Sequence, residues 1–319
     1  MVGARLREIA TGVIGKRRTL LVTGASGRIG RAIWVRLQAR GDDPRGLDLR
    51  MGPAVKWLAD IGDDAMLRRA CEGVDAVVHT AALHAPHVGH VADTEFERIN
   101  VDATRKLLDV AARTGVPRIV FTSTTALYGD ASISTGRAAW VDEELTPVPK
   151  TIYHRTKLAA ETLLREAAEQ GGPSVRILRM SRCFPEPANA MAVLRLHRGI
   201  DARDVADAHA KAVVHEGPTH ATFVVSGSTP FGQNDLAELA ADAPAAIARK
   251  VPALVAAFTA RGWSLPSSID RVYCPHAAMT ALDWAPRYGW DAVVEQFDAG
   301  STEVLPPATH HTIDADLRD

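Results

Sequence analysis

Residues 19–41 constrain this chain more than any other stretch. Thr19-Leu20-Leu21-Val22-Thr23 reads as a strand and runs directly into Gly24-Ala25-Ser26-Gly27-Arg28-Ile29-Gly30. Beyond it Ile29, Ile33 and Leu37 recur every four residues, Arg31, Arg36 and Arg40 fall elsewhere, and Gly41 offers a left-handed cap. A strand, a glycine triplet and an amphipathic helix in that order make a phosphate-binding turn. Gly24 permits the tight turn, Gly27 lets a pyrophosphate approach the backbone, and Gly30 lets helix and strand pack closely. The N–H groups at the helix N-terminus, from Ser26 through Arg28 and Ile29, then face the phosphates.

The same texture repeats as far as residue 180. Strands are predicted at 19–23, 44–48, 55–58, 74–79, 118–123 and 175–179, with helices at 28–40, 65–70, 94–114 and 153–170. Alternation of this kind predicts an α/β fold: a doubly wound parallel sheet with helices on both faces. Past 180 the pattern loosens. A helix at 204–215 and a strand at 222–226 return to it, 233–250 is Ala-rich and helical, and 262–289 has no clear period. The expected division is an arm at 1–18, a dinucleotide-binding domain at 19–180 plus 204–226, a small C-terminal lobe at 181–203 plus 227–300, and a loose tail at 301–319.

Composition narrows the classes. With 46% hydrophobic and 24% charged residues the chain can fill a large core and stay soluble. A formal net charge of -1 gives no pull toward nucleic acid or an anionic membrane. No apolar run is long enough to span a bilayer, and residues 1–18 lack the form of a signal peptide. Cys71, Cys183 and Cys274 are too scattered for a disulfide framework or a zinc cage, which fits the cytoplasm.

Candidate chemistry lies at strand ends. Asp48, 18 positions past Gly30, can bind the adenosine ribose hydroxyls and would repel the extra phosphate of NADP, although Arg50 nearby could receive it. Asp60 and Ile61 follow the third strand and could meet the adenine. Tyr153 and Lys157 sit one helical turn apart on one face. A lysine charge near a phenol favours the phenolate, so Tyr153 could take a proton from a substrate hydroxyl while hydride leaves for a dinucleotide. Thr122-Ser123-Thr124-Thr125 places hydroxyls at the C-terminal edge of the fifth strand, where such sheets bind ligands. His84, His87 and His90 follow the fourth strand. They are read as polar loop residues reaching substrate hydroxyls or solvent, and no metal is assigned. Trp263, Trp284 and Trp290 are read as packing.

Gly24-x-x-Gly27-x-x-Gly30, His79-Thr80-Ala81-Ala82, the hydroxyl run ending in Tyr128-Gly129, and Tyr153-x-x-x-Lys157 occur together in this order. The arrangement resembles the extended short-chain dehydrogenase/reductase family, also called the NAD-dependent epimerase/dehydratase family. The resemblance implies a Rossmann-type fold, NAD as cofactor (NADP less so), and a Ser/Thr–Tyr–Lys triad. Thr124 falls on the catalytic hydroxyl, with Ser123 as neighbouring candidate, and Lys157 also binds the nicotinamide ribose. It further implies that His79, Ala81, Ala82, Thr122 and Arg182 lie along the cofactor. Asn100 supports the active site and is counted with the cofactor residues. Helices 94–114 and 153–170 pair across a two-fold in a homodimer.

Thr124 is followed by Thr125-Ala126, not the Asp-Glu of sugar dehydratases, so the resemblance disfavours dehydration. The connection from Arg182 to Asp204 is short, which favours a substrate smaller than a nucleotide sugar. Arg179 to Asn189 is similar to the same segment of uronate dehydrogenases. Where those enzymes place a substrate-binding serine and arginine, this chain has Arg182 and Met191. His84, His87, Thr124, Arg182 and Arg195 are the expected substrate contacts. The expected activity is NAD-dependent oxidation of a hydroxyl on a sugar, sugar acid or polyol. The alternatives are a nucleotide-sugar epimerase and, in third place, a dinucleotide sensor without catalysis.

Overall fold

The computed structural model describes residues 17–308. Its main sheet has seven strands, all parallel. In chain order these are β1 (Thr19–Thr23), β2 (Asp43–Asp48), β3 (Val55–Leu58), β4 (Ala76–His79) and β5 (Arg118–Thr124), then β7 (Ser174–Met180) and β8 (His220–Val225). Between them β6 (Ala139–Val141) leaves the sheet and pairs in parallel with β9 (Arg271–Tyr273). The spatial order is β3-β2-β1-β4-β5-β7-β8. The chain winds outward from β1 first one way and then the other, leaving a crevice at the reversal beyond the C-terminal ends of β1 and β4.

Helices cover both faces because the strands are apolar on both sides. On one face α1 (Arg28–Ala39) and α7 (Ala202–Val214) pack Ile33, Leu37, Val205 and Val213 against Leu20, Val22, Val78 and Val120. On the other, α2 (Asp64–Cys71), α4 (Ala103–Thr114) and α5 (Ile152–Glu169) pack Leu67, Leu107, Ala111 and Leu164 against Leu21, Val77, Ile119 and Ile177. The starts follow local rules: Asp63, Thr151 and Asp201 accept backbone N–H groups of their own first turns.

Three expectations change. The helix expected at 94–114 is broken into α3 (Asp93–Glu97), a π-helical turn (Arg98–Asp102) and α4. The Ala-rich segment is not one helix: Asp242 caps Ala245 N and Pro244 sits in the next first turn. Hence α8 (Leu236–Ala241) stops and α9 (Ala243–Lys250) begins. After them comes α10 (Pro252–Arg261), which periodicity does not announce, though Pro252 at its start and Gly262 beyond its end mark it. The tail is not loose over 301–308. Val304 is buried in the lobe's core, and Leu305 pairs with residues 186–188. Residues 309–319, like 1–16, lie outside the described residues.

The lobe is built from α6 (Ala188–His197), α8–α10, α12 (Trp290–Asp298) and the β6–β9 pair, whereas α11 (His276–Ala281) packs Ala278 into the main sheet's core beside β8. Trp263 packs edge-on to Phe258 and Phe297, and Trp284 is buried with its indole N–H on the Asp204 carbonyl. Among the described residues no single helix is long and apolar enough to cross a membrane.

Candidate active site

The glycine loop is rigidly seated. Gly24 has φ +70°, and a Cβ there would stand 2.8 Å from the Ala81 backbone nitrogen. A Cβ on Gly30 would stand 2.1 Å from the Gly24 carbonyl oxygen, so α1 meets β1 at backbone contact. Gly27 has no such crowding, apart from the Gly24 carbonyl oxygen at 3.3 Å. Asp48 closes β2 with one carboxylate oxygen accepting from Ser26 N (2.9 Å) and the other from Arg50 N (2.8 Å). The carboxylate therefore anchors the loop and still lines the crevice.

That crevice is one cavity of about 920 Å³ running from the glycine loop to the lobe. Of the expected residues it is lined by Gly24, Gly27, Arg28, Ile29, Gly30, Asp48, Asp60, Ile61, Ala81, Ala82, Thr122, Tyr153, Lys157 and Arg182, together with Ser123, Thr124, His84 and His87. Asp60 pairs with Arg98. Burial would raise its carboxyl, but the Gly62 amide and the Arg98 guanidinium outweigh that and hold it below its usual range. A glycine-lined turn, amides at a helix N-terminus and a carboxylate at the ribose position suit a dinucleotide.

Four expected residues are not on the cavity wall. Ser26 is turned to β2, its hydroxyl donating to the Arg50 carbonyl. His79 is fully buried beneath the site, between the hydroxyls of Thr23 (2.8 Å) and Thr104 (3.0 Å), and burial pushes its pKa down to about 3. It braces β1, β4 and α4. Asn100, on the π-helical turn, accepts from Leu83 N (2.8 Å) and donates to the Leu83 carbonyl and Thr156 hydroxyl. It ties the loop after β4 to α5, as the supporting role requires, without reaching the cofactor space. Arg195 is buried against Asp201, away from the cavity.

The reacting groups meet at the cavity's middle. Tyr153 and Lys157 are both buried on one face of α5. The Tyr153 phenol and the Thr124 side chain are hydrogen-bonded. Lys157 Nζ donates to the Thr122 carbonyl (2.6 Å) and lies 3.9 Å from the Phe121 ring centroid. Burial pushes the Tyr153 phenol up to about 12, with the Thr124 bond opposing it. Burial also pulls Lys157 down to about 7, against the charge of Glu161. The expected lowering of the phenol by Lys157 is not found: desolvation, which disfavours both charged forms, sets both shifts, and only Thr124 opposes it at the phenol.

Ser123, the neighbouring candidate, has its hydroxyl committed away from Tyr153. Its hydroxyl donates to Glu161 (2.6 Å), whose carboxylate also takes the Arg179 guanidinium, and Arg179 reaches the Tyr128 hydroxyl. This buried network fixes β5, β7 and α5 under the site. Thr124, one residue on and on the opposite side of the strand, is the hydroxyl that meets Tyr153.

The far end matches the expected substrate contacts only in part. Arg198, Arg271 and Tyr273 line it beside Arg182. Arg182 is held by Glu186 (2.6 Å), and Arg271 by Asp270 and the Ser132 hydroxyl. Burial lowers Arg198's pKa, and the charges of Arg271 and Arg182 add to this, with Asp270 opposing. Phe184 stacks on His84 with ring centroids 6.0 Å apart, and His84 has a buried ring nitrogen, Nδ1, without a partner. His90 is off the wall. Among the described residues no group of three His, Cys, Asp or Glu is placed to hold a metal ion. Arg271 could not be found from local spacing, because β9 reaches the site through contacts with distant segments, its pairing with β6 and the bond of its carbonyl to His197.

A glycine-cradled crevice at a sheet reversal, with a buried tyrosine–lysine pair at its middle, defines a Rossmann-type fold of the short-chain dehydrogenase/reductase kind. Residues 20–192, over half of the chain, match the NAD dependent epimerase/dehydratase family, and the chain belongs to that family. It is 32% identical over 155 residues to D-erythronate dehydrogenase of Cupriavidus necator (47% of this chain, 44% of that one). It is 31% identical over 188 residues to UDP-glucose 4-epimerase 4 of Oryza sativa (52% and 49%). The chain thus spans about half or less of those relatives' length. Its fold is similar to a short-chain dehydrogenase/reductase superfamily protein of Agrobacterium tumefaciens with bound NAD, at TM-score 0.64 and 23% identity over 87% of this chain and 95% of that one. The UDP-glucose 4-epimerase of Thermus thermophilus with NAD gives 0.63 and 24%, over 88% and 99%.

Proposed function

We propose that this protein is an NAD-dependent oxidoreductase acting on a CH–OH group of a small sugar, sugar acid or polyol. The observation that carries the reading is the continuous cavity in which the Tyr153–Thr124 pair stands between the glycine loop and an arginine-lined end. When bound there, NAD supplies the hydride acceptor, and its cationic ring lowers the cost of a phenolate nearby. Thr124 holds the substrate oxygen beside Tyr153, and Tyr153 removes the hydroxyl proton. Lys157, anchored on the Thr122 carbonyl, offers a donor for a ribose hydroxyl. Asp48 presents its carboxylate to the adenosine ribose, which favours NAD over NADP. The guanidinium groups of Arg182, Arg198 and Arg271 suit a substrate carrying a negative group, such as a sugar acid. The reading includes a homodimer through α4 and α5, which light scattering checks.

The test is NADH absorbance with a panel of aldoses, sugar acids and polyols. Reduction of NAD by a sugar acid supports the reading. A nucleotide sugar that changes stereochemistry with no net NADH, while no panel member reacts, would replace it with an epimerase. The D-erythronate dehydrogenase likeness places a four-carbon acid early in the panel.

A further inference from the structure

Arg28 is the first residue of α1 and lines the dinucleotide crevice. It also lines a second cavity of about 770 Å³ between α1, α7 and the C-terminal segment. The Arg28 Nη1 atom is 2.5 Å from the Glu303 carboxylate, its side chain bonds the Cys183 sulfur, and its Nε is buried without a partner. Glu303 itself is held in place. Its backbone N–H donates to the Ser301 hydroxyl, and the next residue, Val304, is buried. Beyond it Leu305 N–H donates to the Glu186 carbonyl, and Ala308 exchanges hydrogen bonds with Asn189. Residues 301–308 therefore form a strap from the substrate-end loop to the phosphate-binding turn.

We propose that Glu303 is a positioning residue that sets cofactor affinity by neutralising Arg28. The proposal rests on the reading of the crevice as the NAD site. A pyrophosphate seated at the N-terminus of α1 meets the N–H groups there and Arg28 as a nearby cation. With Glu303 in contact, that cation is already paired, and a pyrophosphate must share it with a carboxylate. The pair is only partly shielded, with side-chain exposures of 27% for Arg28 and 47% for Glu303, so its influence is moderate and sensitive to salt. The consequence matches the chemistry: a dehydrogenase exchanges its cofactor at every turnover, whereas an epimerase keeps it. A carboxylate that weakens the phosphate grip favours exchange.

The experiment is calorimetric titration of the whole chain, wild type and Glu303→Gln, with ADP-ribose, NAD and adenosine at low and high salt. Gln keeps the side chain's size and removes its charge. Glu303→Gln is expected to bind ADP-ribose and NAD roughly three- to tenfold tighter at low salt, an electrostatic gain that shrinks at high salt. Adenosine, which lacks phosphate, should bind as it does to wild type. In an Arg28→Gln background the Glu303→Gln gain should vanish. Unchanged or weaker ADP-ribose binding, or an equal gain with adenosine, overturns the proposal. If Glu303→Gln does not fold, Glu303→Ser must show the same sign. A wild type that binds neither ADP-ribose nor NAD would sink the cofactor reading itself, and this proposal with it.

Discussion

The two ends of the cavity are made of different material. The dinucleotide end is mostly backbone: Gly24, Gly27 and Gly30 and the N–H groups at the start of α1, joined by the Asp48 carboxylate, which also clamps the loop, and by Asp60. Its parts are close together in sequence. The substrate end is made of side chains from distant segments: His84 after β4, Arg182 after β7, Arg198 after α6, and Arg271 on β9. Backbone geometry can be shared by a whole family, because it depends on glycines at set spacing. Side-chain walls can be rebuilt residue by residue without disturbing the sheet. On the proposed reading the cofactor is held by the fold, and the substrate by this chain's own arginines.

The largest effect is expected where the two ends meet. Tyr153→Phe should lower kcat by about 10²–10⁴-fold while NAD binding, followed by calorimetry, stays within about twofold. Retained turnover would remove Tyr153 from the base role. Next, Gly30→Ala drives a Cβ into the Gly24 carbonyl and should cost roughly 1–3 kcal/mol in denaturant unfolding, with loss of NAD affinity. A silent Gly30→Ala would show that the backbone-built end is softer than its close contacts imply.

Acid should probe both ends through buried histidines. Burial pulls His79 and His197 down from 6.5 to about 3, and His209 to about 4. The unfolded chain binds these protons near pH 6.5 and the folded one does not, so their contribution is full above 6.5 and is lost as pH falls toward 3–4. At pH 5 each costs about 2 kcal/mol of stability. His79 and His209 brace the sheet and His197 the lobe. Thermal unfolding of His79→Gln against His197→Gln then tells which end yields first; a flat stability profile from pH 7 to 5 would contradict the buried-neutral assignment.

Arg198→Met should raise KM for an anionic substrate about 10–100-fold and leave NAD affinity alone, as loss of one charge-assisted contact does. An equal rise for a neutral polyol would mean that Arg198 only shapes the wall. The smallest effect is Asp48→Asn, which keeps the acceptor for Ser26 and removes the charge. NADP use relative to NAD should improve by about 1 kcal/mol, roughly fivefold, in steady-state kinetics. A wild type that already prefers NADP would overturn the Asp48 reading.

Much of the cofactor half is legible in the residues themselves. The strands β1 and β3 lie where the sequence places them, at Thr19–Thr23 and Val55–Leu58, and α1 follows the four-residue repeat of Ile29, Ile33 and Leu37. Tyr153 and Lys157 share a face because helical periodicity alone requires it. The errors have a common cause. Ser123 and Thr124 are adjacent hydroxyls on a strand, and only the seating of the strand under α5 decides which one faces Tyr153 and which one meets Glu161. His79 stands in a motif that borders the cofactor, yet its ring turns into the core because Thr23 and Thr104 offer both its nitrogens a partner there.

Arg195 and Arg198 differ by three residues; the first is an expected substrate contact from the sequence, and the second is not. The structure buries the first on Asp201 and gives the second to the cavity, because α6 ends between them and the chain turns back toward β7. Local spacing determines the parallel sheet, the glycine cradle and the tyrosine–lysine pair, since each is set by contacts within one strand–helix unit. Tertiary structure alone decides which arginines form the substrate wall, that residues 301–308 strap the glycine loop to the lobe, and that Glu303 reaches Arg28. Those contacts join segments far apart in the chain, and no periodicity within either segment encodes the other.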